Sequence, residues 1–391
     1  MVEIALPTAD RRLERYRLGE PSPYWTAGGE ARGPFNRVAI AAAHVVADPL
    51  AEQDPWVEPA IDWDRTLAYR EALWDLGLGV AEAMDTAQRG MGLGWPQAKE
   101  LIARALERAR ARGDDPVIAS GAGTDHLEAG PGVTLDQVVA AYEEQVSTVE
   151  GLGGRVILMA SRALAKAARG PEDYQKVYGH ILSQVSRPVI IHWLGEMFDP
   201  ALEGYWGSGD HLAAMDTCLS VLQDNADKID GVKISLLSKD KEIAMRRRLP
   251  AGVRMYTGDD FNYAELIHGD EQGHSDALLG IFDPIAPAAS AALGALARGE
   301  DKAFFEILEP TVALSRHVFR APTRFYKTGV VFLAYLNGFQ DHFVMVGGQQ
   351  SARSLLHLAE LLRLADKARV LRDPELAARR MREVMAVQGL A

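Results

Sequence analysis

The sequence predicts a (β/α)8 barrel of the TIM type, an α/β fold, with an N-terminal extension and a C-terminal helical appendage. Three observations predict it. Short apolar runs alternate with helical segments eight times between residues 36 and 300. Most of these runs are apolar at nearly every position, which suits parallel strands buried on both faces. No unit carries a glycine-rich dinucleotide fingerprint and no linker divides the eight, which favours closure over an open doubly wound sheet.

The elements follow in order. Residues 1–35 read as an extension, mixing charges with Pro21, Pro23, Trp25 and Gly28-Gly29, and a short helix is expected over Arg11 to Leu18. Arg37 to His44 is the first strand, apolar after its arginine; Asp62 or Asp64 caps the helix ending at Leu76. Leu78 to Met84, the second strand, runs into Asp85-Thr86-Ala87-Gln88, and Pro96 opens an amphipathic helix over Gln97 to Arg112. Pro116 to Ser120 is the third strand, followed by a loop through Asp125 and His126. Thr134, with Gln137 three residues on, forms a capping-box pattern for a helix reaching Leu152. Arg155 to Ala160 and Pro188 to His192 are the fourth and fifth strands, with helices over Glu172 to Val185 and Asp210 to Asn225. Gly231 to Leu237, Arg254 to Thr257 and Asp276 to Gly280 complete the eight. Their helices span Lys239 to Arg248, Phe261 to His268 and Pro287 to Arg298. Beyond Gly299 only helices are expected: Asp301 to Ala313, Tyr326 to Leu336, Ser351 to Leu364 and Pro374 to Val387. The chain thus divides into an extension (1–35), a barrel (36–300) and a helical region (301–391). The apolar run Val330 to Leu336 packs within the monomer or forms a subunit contact.

Composition narrows the function. A net charge of −12 argues against nucleic acid or an anionic membrane as partner. A single cysteine, Cys218, excludes a disulfide framework and a cysteine-based zinc site. No apolar run is long enough to span a bilayer and no signal-peptide core is present, so a reducing cytoplasm is expected.

In such a barrel the chemistry lies at the C-terminal ends of the strands. Those ends carry His44, Asp85, Thr86, Asp125, His126, Ser161, His192, Lys233, Ser235, Asp259, Asp260 and Asp283. Lys233 stands out because it interrupts the apolar run Val232-Lys-Ile-Ser-Leu-Leu237. A lysine there either snorkels to water or loses its charge, and a neutral amine is a nucleophile toward carbonyls. His192 is the candidate proton carrier, or a histidine satisfied by internal hydrogen bonds. Thr86 binds a substrate oxygen or caps the next helix. Gly258 and Asp259 shape the pocket floor or form a plain turn, and Asp283 binds substrate or only opens a turn.

Three segments carry a family resemblance. Asp230-Gly-Val-Lys233 resembles the sixth strand of the dihydrodipicolinate synthase / N-acetylneuraminate lyase superfamily, whose lysine forms an imine. Pro188-Val-Ile-Ile-His-Trp193 resembles the fifth strand, which there usually ends in Tyr-Asn. Tyr256-Thr-Gly-Asp-Asp260, running on to Gly280 and Pro287, resembles the seventh and eighth. The resemblance covers roughly residues 36–300 and marks the chain as a divergent branch. It implies a Schiff-base lyase, aldolase or dehydratase with Lys233 as nucleophile and no cofactor. It also implies Thr86, Asp85, Ser235, Gly258, Asp259 and Asp283 around a small carbonyl substrate, in a dimer or tetramer. The family's Gly-Thr-Thr-Gly-Glu loop appears here as Met84-Asp-Thr-Ala-Gln88, keeping only Thr86. A carboxylate at Asp85 repels a pyruvate carboxylate, so a keto-sugar, an aldehyde or a less acidic 2-oxo compound fits as well. His192 takes the place nearest the family's missing tyrosine.

Two other readings stay open. His44, Glu82, Asp85, Asp125, His126 and His192 offer nitrogen and oxygen ligands for a divalent ion in an isomerase or class II aldolase, though without a tight metal-binding spacing. A non-catalytic barrel that binds a small molecule is the third.

Overall fold

The computed structural model describes residues 2–25 and 34–390. Eight parallel strands close a barrel: β3 (Ala39–Ala42), β4 (Gly79–Glu82), β5 (Ile118–Ala122), β6 (Arg155–Met159), β7 (Val189–Leu194), β8 (Ile229–Ser235), β9 (Arg254–Thr257) and β10 (Asp276–Leu279). They neighbour one another in chain order, and β10 returns to β3. Side chains alternate across each strand. On β8, Val232 and Ile234 pack outward under the helices, so Gly231, Lys233 and Ser235 face the axis. Below Lys233 the axis is filled by Ile40, Ala81, Ile157, Ile190, Tyr256 and Leu278. The barrel is therefore a packed core with chemistry confined to one end.

Helices cover the strands where periodicity places them. Asp62 caps α1 (Trp63–Asp75), and Pro96 sits in the first turn of α2 (Trp95–Arg112). Thr134 and Gln137 close a reciprocal capping box on α3 (Leu135–Gly151). One short helix, α4 (Arg162–Ala167), was not expected; Ser161 caps it directly after β6. The ring continues through α5 (Pro171–Gln184), α6 (His211–Asp224), α7 (Lys239–Arg246), α8 (Tyr263–His268) and α9 (Ala286–Ala297).

The N-terminal segment differs from expectation. Arg11 to Leu18 is not helical; β1 (Glu3–Pro7) and β2 (Leu13–Arg17) form an antiparallel hairpin. Ile4, Leu6 and Leu18 are buried, and Tyr16 Oη donates to Asp366 at 2.7 Å. The hairpin thus packs on the C-terminal helices. Gly28-Gly29 lie outside the described residues. Those helices are α10 (Asp301–Val318), which continues through Pro310 beyond the expected end, α11 (Tyr326–Leu336), α12 (Leu355–Lys367) and α13 (Pro374–Val387). Every residue of α11 is buried within the chain, which takes up the apolar run Val330 to Leu336 internally. Among the described residues no helix is long and apolar enough to cross a membrane.

Candidate active site around Lys233

Lys233 projects from β8 into the axial mouth. Its strand neighbours in register are His192 on β7 and Tyr256 on β9. Lys233 is buried and lines a tight pocket, with room for about one water, together with Asp85, Thr86, Ser235, Asp260 and Tyr326. Its Nζ makes no hydrogen bond and no ion pair with any described residue. Burial holds its pKa below the ordinary lysine value, against the opposing pull of Asp260 and Asp85.

Close approach at this point depends on Gly258. A Cβ there would lie 2.2 Å from Ser235 Oγ, 2.7 Å from the Ile234 carbonyl and 2.8 Å from Lys233 Cε. His192 Nε2 stands 3.3 Å from Ser235 Oγ. Burial, and then the neighbouring Lys233 charge, push His192 well below the usual histidine range, so its imidazole is neutral at pH 7.

The roof comes from outside the barrel. Tyr326 opens α11, and its hydroxyl is 2.9 Å from Thr86 Oγ1. Burial pushes that phenol well above its ordinary range, leaving it protonated. Phe319 stacks on Tyr326 with ring centroids 4.4 Å apart, and Phe198 meets both edge-on. Gly280 admits them, since a Cβ there would sit 3.0 Å from Phe319 Cζ. Beside this pocket lie two open clefts, both bordered by Asp85, Arg89, Arg162 and Asp199. Another hollow is lined by Val38, Val117, Arg155, Pro188 and Arg254 at the strands' opposite ends and is remote from Lys233.

Residues 4–390 match the family described as "Protein of unknown function (DUF993)". The chain belongs to the DUF993 family. No curated protein matches the sequence. Solved dihydrodipicolinate synthase structures share its fold. The chloride-inhibited enzyme from Acinetobacter baumannii, complexed with pyruvate, covers 86% of this chain and 99% of its own, with TM-score 0.63 and 15% identity. YagE from E. coli K12, a prophage protein of that family in complex with pyruvate, covers 91% and 99%, with TM-score 0.62 and 12% identity. The synthase from Aquifex aeolicus covers 90% and 98%, with TM-score 0.60 and 13% identity.

In this DUF993 chain the remaining candidate residues do not converge on the lysine. Asp283 accepts from the backbone N–H of His44 and lies 2.8 Å from its Nδ1, while Tyr69 Oη donates to the Asp283 carbonyl and carboxylate. Asp259 accepts from the N–H groups of Phe261 and Asn262, the work of a turn. Glu82 forms a buried, two-bond pair with Arg70, facing α1. Asp125 is held by Arg89 and Gln145, and His126 by Gln145 and Glu144. Among the described residues no group of three or more His, Cys, Asp or Glu side chains is placed to hold a metal ion.

Two residues at the site stood apart from the substrate-contact candidates: Asp260, read from the sequence only as one of the strand-end residues, and Tyr326, which was not named for the site. Asp260, rather than Asp259 alone, faces the lysine; burial raises its carboxyl to about 7. It accepts from the Ile281 N–H at 2.9 Å, which fixes it. Tyr326 carried no signal, since a tyrosine at the head of an apolar helix reads as core.

Proposed function

We propose that this DUF993 chain is a Schiff-base-forming lyase, an aldolase or dehydratase acting on a small keto-sugar, aldehyde or 2-oxo compound through Lys233. The observation that carries the reading is a buried amine without a partner among the described residues, set in the mouth of a closed barrel. The fold it shares with dihydrodipicolinate synthases supports it. A metal-dependent reading lacks a convergent donor set among the described residues.

In this reading Lys233 Nζ attacks the carbonyl carbon. The carbinolamine oxygen takes a proton from Tyr326 Oη, itself held by Thr86, and leaves as water. Neutral His192 removes the proton from a substrate hydroxyl. For carbon–carbon cleavage that hydroxyl sits on the β carbon: its oxygen's pair forms the new carbonyl, the bond between the α and β carbons breaks, and that bond's pair flows to the iminium nitrogen. For dehydration His192 takes the α proton instead, and the α C–H pair flows to the iminium nitrogen. The β hydroxyl then accepts that proton and leaves as water with the carbon–oxygen pair. Water releases the product and restores the amine. The fit of a reducing cytoplasm and of a homo-oligomer belongs to the same proposal.

Borohydride reduction in the presence of keto-sugars, aldehydes and 2-oxo acids tests it. A mass gain on the Lys233 peptide, lost in Lys233→Ala, is expected. No gain with any carbonyl, together with activity that a chelator abolishes and a divalent ion restores, would overturn it.

A further inference from the structure

The cleft beside the lysine cavity contains a second buried lysine. Lys327, in the first turn of α11, is nine-tenths buried, and no carboxylate lies within ion-pair distance of it among the described residues. Among the described residues its Nζ donates to the Arg324 carbonyl at 3.2 Å and to Met91 Sδ at 3.4 Å, and it lies 4.7 Å from the Tyr326 ring centroid. Arg324 is exposed, and its guanidinium has no acidic partner among the described residues, lying instead over the Phe325 ring. Arg162 is bound by Asp199 through Nε alone, leaving its terminal nitrogens without hydrogen bonds among the described residues. All three cations border the same cleft. A desolvated cation without a counter-charge is costly unless a ligand supplies one. The first turn of a helix adds its positive end.

Asp85 is the complementary half of the pattern. Its side chain makes no hydrogen bond or ion pair with a described residue, and it borders both this cleft and the Lys233 cavity. Leu194, Phe198 and Tyr326 are likewise shared by the two, so they adjoin. A carboxylate there disfavours an anion next to the reacting carbonyl and accepts hydroxyl groups instead.

We infer that Lys327, Arg324 and Arg162 form a receptor for an oxyanion, phosphate or carboxylate, at the far end of a hydroxylated carbonyl substrate. This inference rests on the imine reading for the word substrate; the anion site itself does not. Imine attachment at Lys233 and anion capture at Lys327 then hold the molecule at its two ends, with Asp85 facing the hydroxyls between.

Calorimetry with inorganic phosphate and with acetate on the full chain tests the site. Binding of one or both is expected, equal in wild type and Lys233→Ala, and weakened about tenfold or more in Lys327→Met and in Arg324→Gln. Arg324 is exposed, so its variant reads the site even where Lys327→Met fails to fold. Preference for phosphate points to a phosphorylated substrate, preference for acetate to a carboxylate. Absence of millimolar binding of either anion, or unchanged affinity in Arg324→Gln and in folded Lys327→Met, overturns the inference. Borohydride trapping with dihydroxyacetone and its phosphate ester then reads the substrate. The phosphate ester should trap at about tenfold lower concentration, an advantage lost in Arg324→Gln. Equal trapping of the two, in a chain that prefers phosphate over acetate, overturns the link to substrate. No trapping beside variant-sensitive anion binding removes the imine reading and leaves the anion site standing.

Discussion

The hydroxyl of Tyr326 stands 2.9 Å from Oγ1 of Thr86, and this bond joins the C-terminal helices to the barrel mouth. Thr86 follows β4 in a loop whose entry residue, Ala83, adopts φ 53°, a conformation uncommon outside glycine. Such backbone is held in place only by its surroundings, here Arg89 donating to the Ala83 carbonyl.

Tyr326→Phe removes the proton donor and little packing. With a carbonyl compound that traps at Lys233, turnover is expected to fall about 100-fold. Stability should change by only about 1 kcal/mol, the cost of leaving the Thr86 hydroxyl without its partner. Single-turnover kinetics beside a denaturant titration check both; wild-type turnover in the Phe variant would rule the relay out.

Imine formation needs the deprotonated amine. Trapping rate should therefore rise with pH through a midpoint below 10.5, because burial lowers Lys233. Asp260 opposes that shift. Asp260→Asn removes the negative charge, so the ammonium form loses support and the midpoint moves lower still. Rate against pH for both proteins decides this, and an upward movement contradicts the placement of Asp260.

Gly258→Ala drives a methyl against the Ile234 carbonyl as well as into Ser235 and the Lys233 stem. Side chains can yield, but the backbone cannot without opening the β8–β9 pairing. A loss of about 1–3 kcal/mol is expected, with trapping at Lys233 slowed because its stem is displaced. A variant that traps at the normal rate would show that the lysine tolerates movement.

Glu242 on α7 is buried and accepts from Thr257 Oγ1 at 2.9 Å and Ser275 Oγ at 2.7 Å. Burial raises its carboxyl to about 8. The folded chain then holds this proton more tightly than the unfolded one, whose carboxyl titrates near 4.5. The sign is that of a raised pKa: stability is lost as pH climbs from the unfolded value to about 8, then levels. Glu242→Gln removes this component while Asp260 keeps its own, so the variant should lose roughly 4 kcal/mol less than wild type between pH 5 and pH 8.5. Equal losses of stability in the two proteins, read from urea-titration midpoints at the two pH values, would contradict it.

How much was legible depends on where each signal sits. The barrel was, because strands buried on both faces are apolar at successive positions and cannot be mistaken for amphipathic helix. Lys233 was, because a charge inside such a run is conspicuous. β2 was not: its residues are mostly exposed, so no buried face imposed a period of two, and Leu13 to Arg17 showed only charges around Tyr16. The choice between Asp259 and Asp260 was equally hidden, since neighbours on a turn point apart and only the backbone says which one meets the lysine. His44, Glu82, Asp125 and His126 looked like ligands because strand ends gather polar residues. In the folded chain each is matched by an Arg, Asp or Gln brought from another element.

The roof over the amine has a consequence during synthesis. Tyr326, Phe319 and Lys327 leave the ribosome long after β8. Until α11 docks, a nascent barrel presents its amine in an uncovered bowl, where any passing aldehyde meets neither proton donor nor anion clamp. In the proposed reading, the covered site with its proton donor is complete only once the C-terminal helices have docked on the barrel mouth.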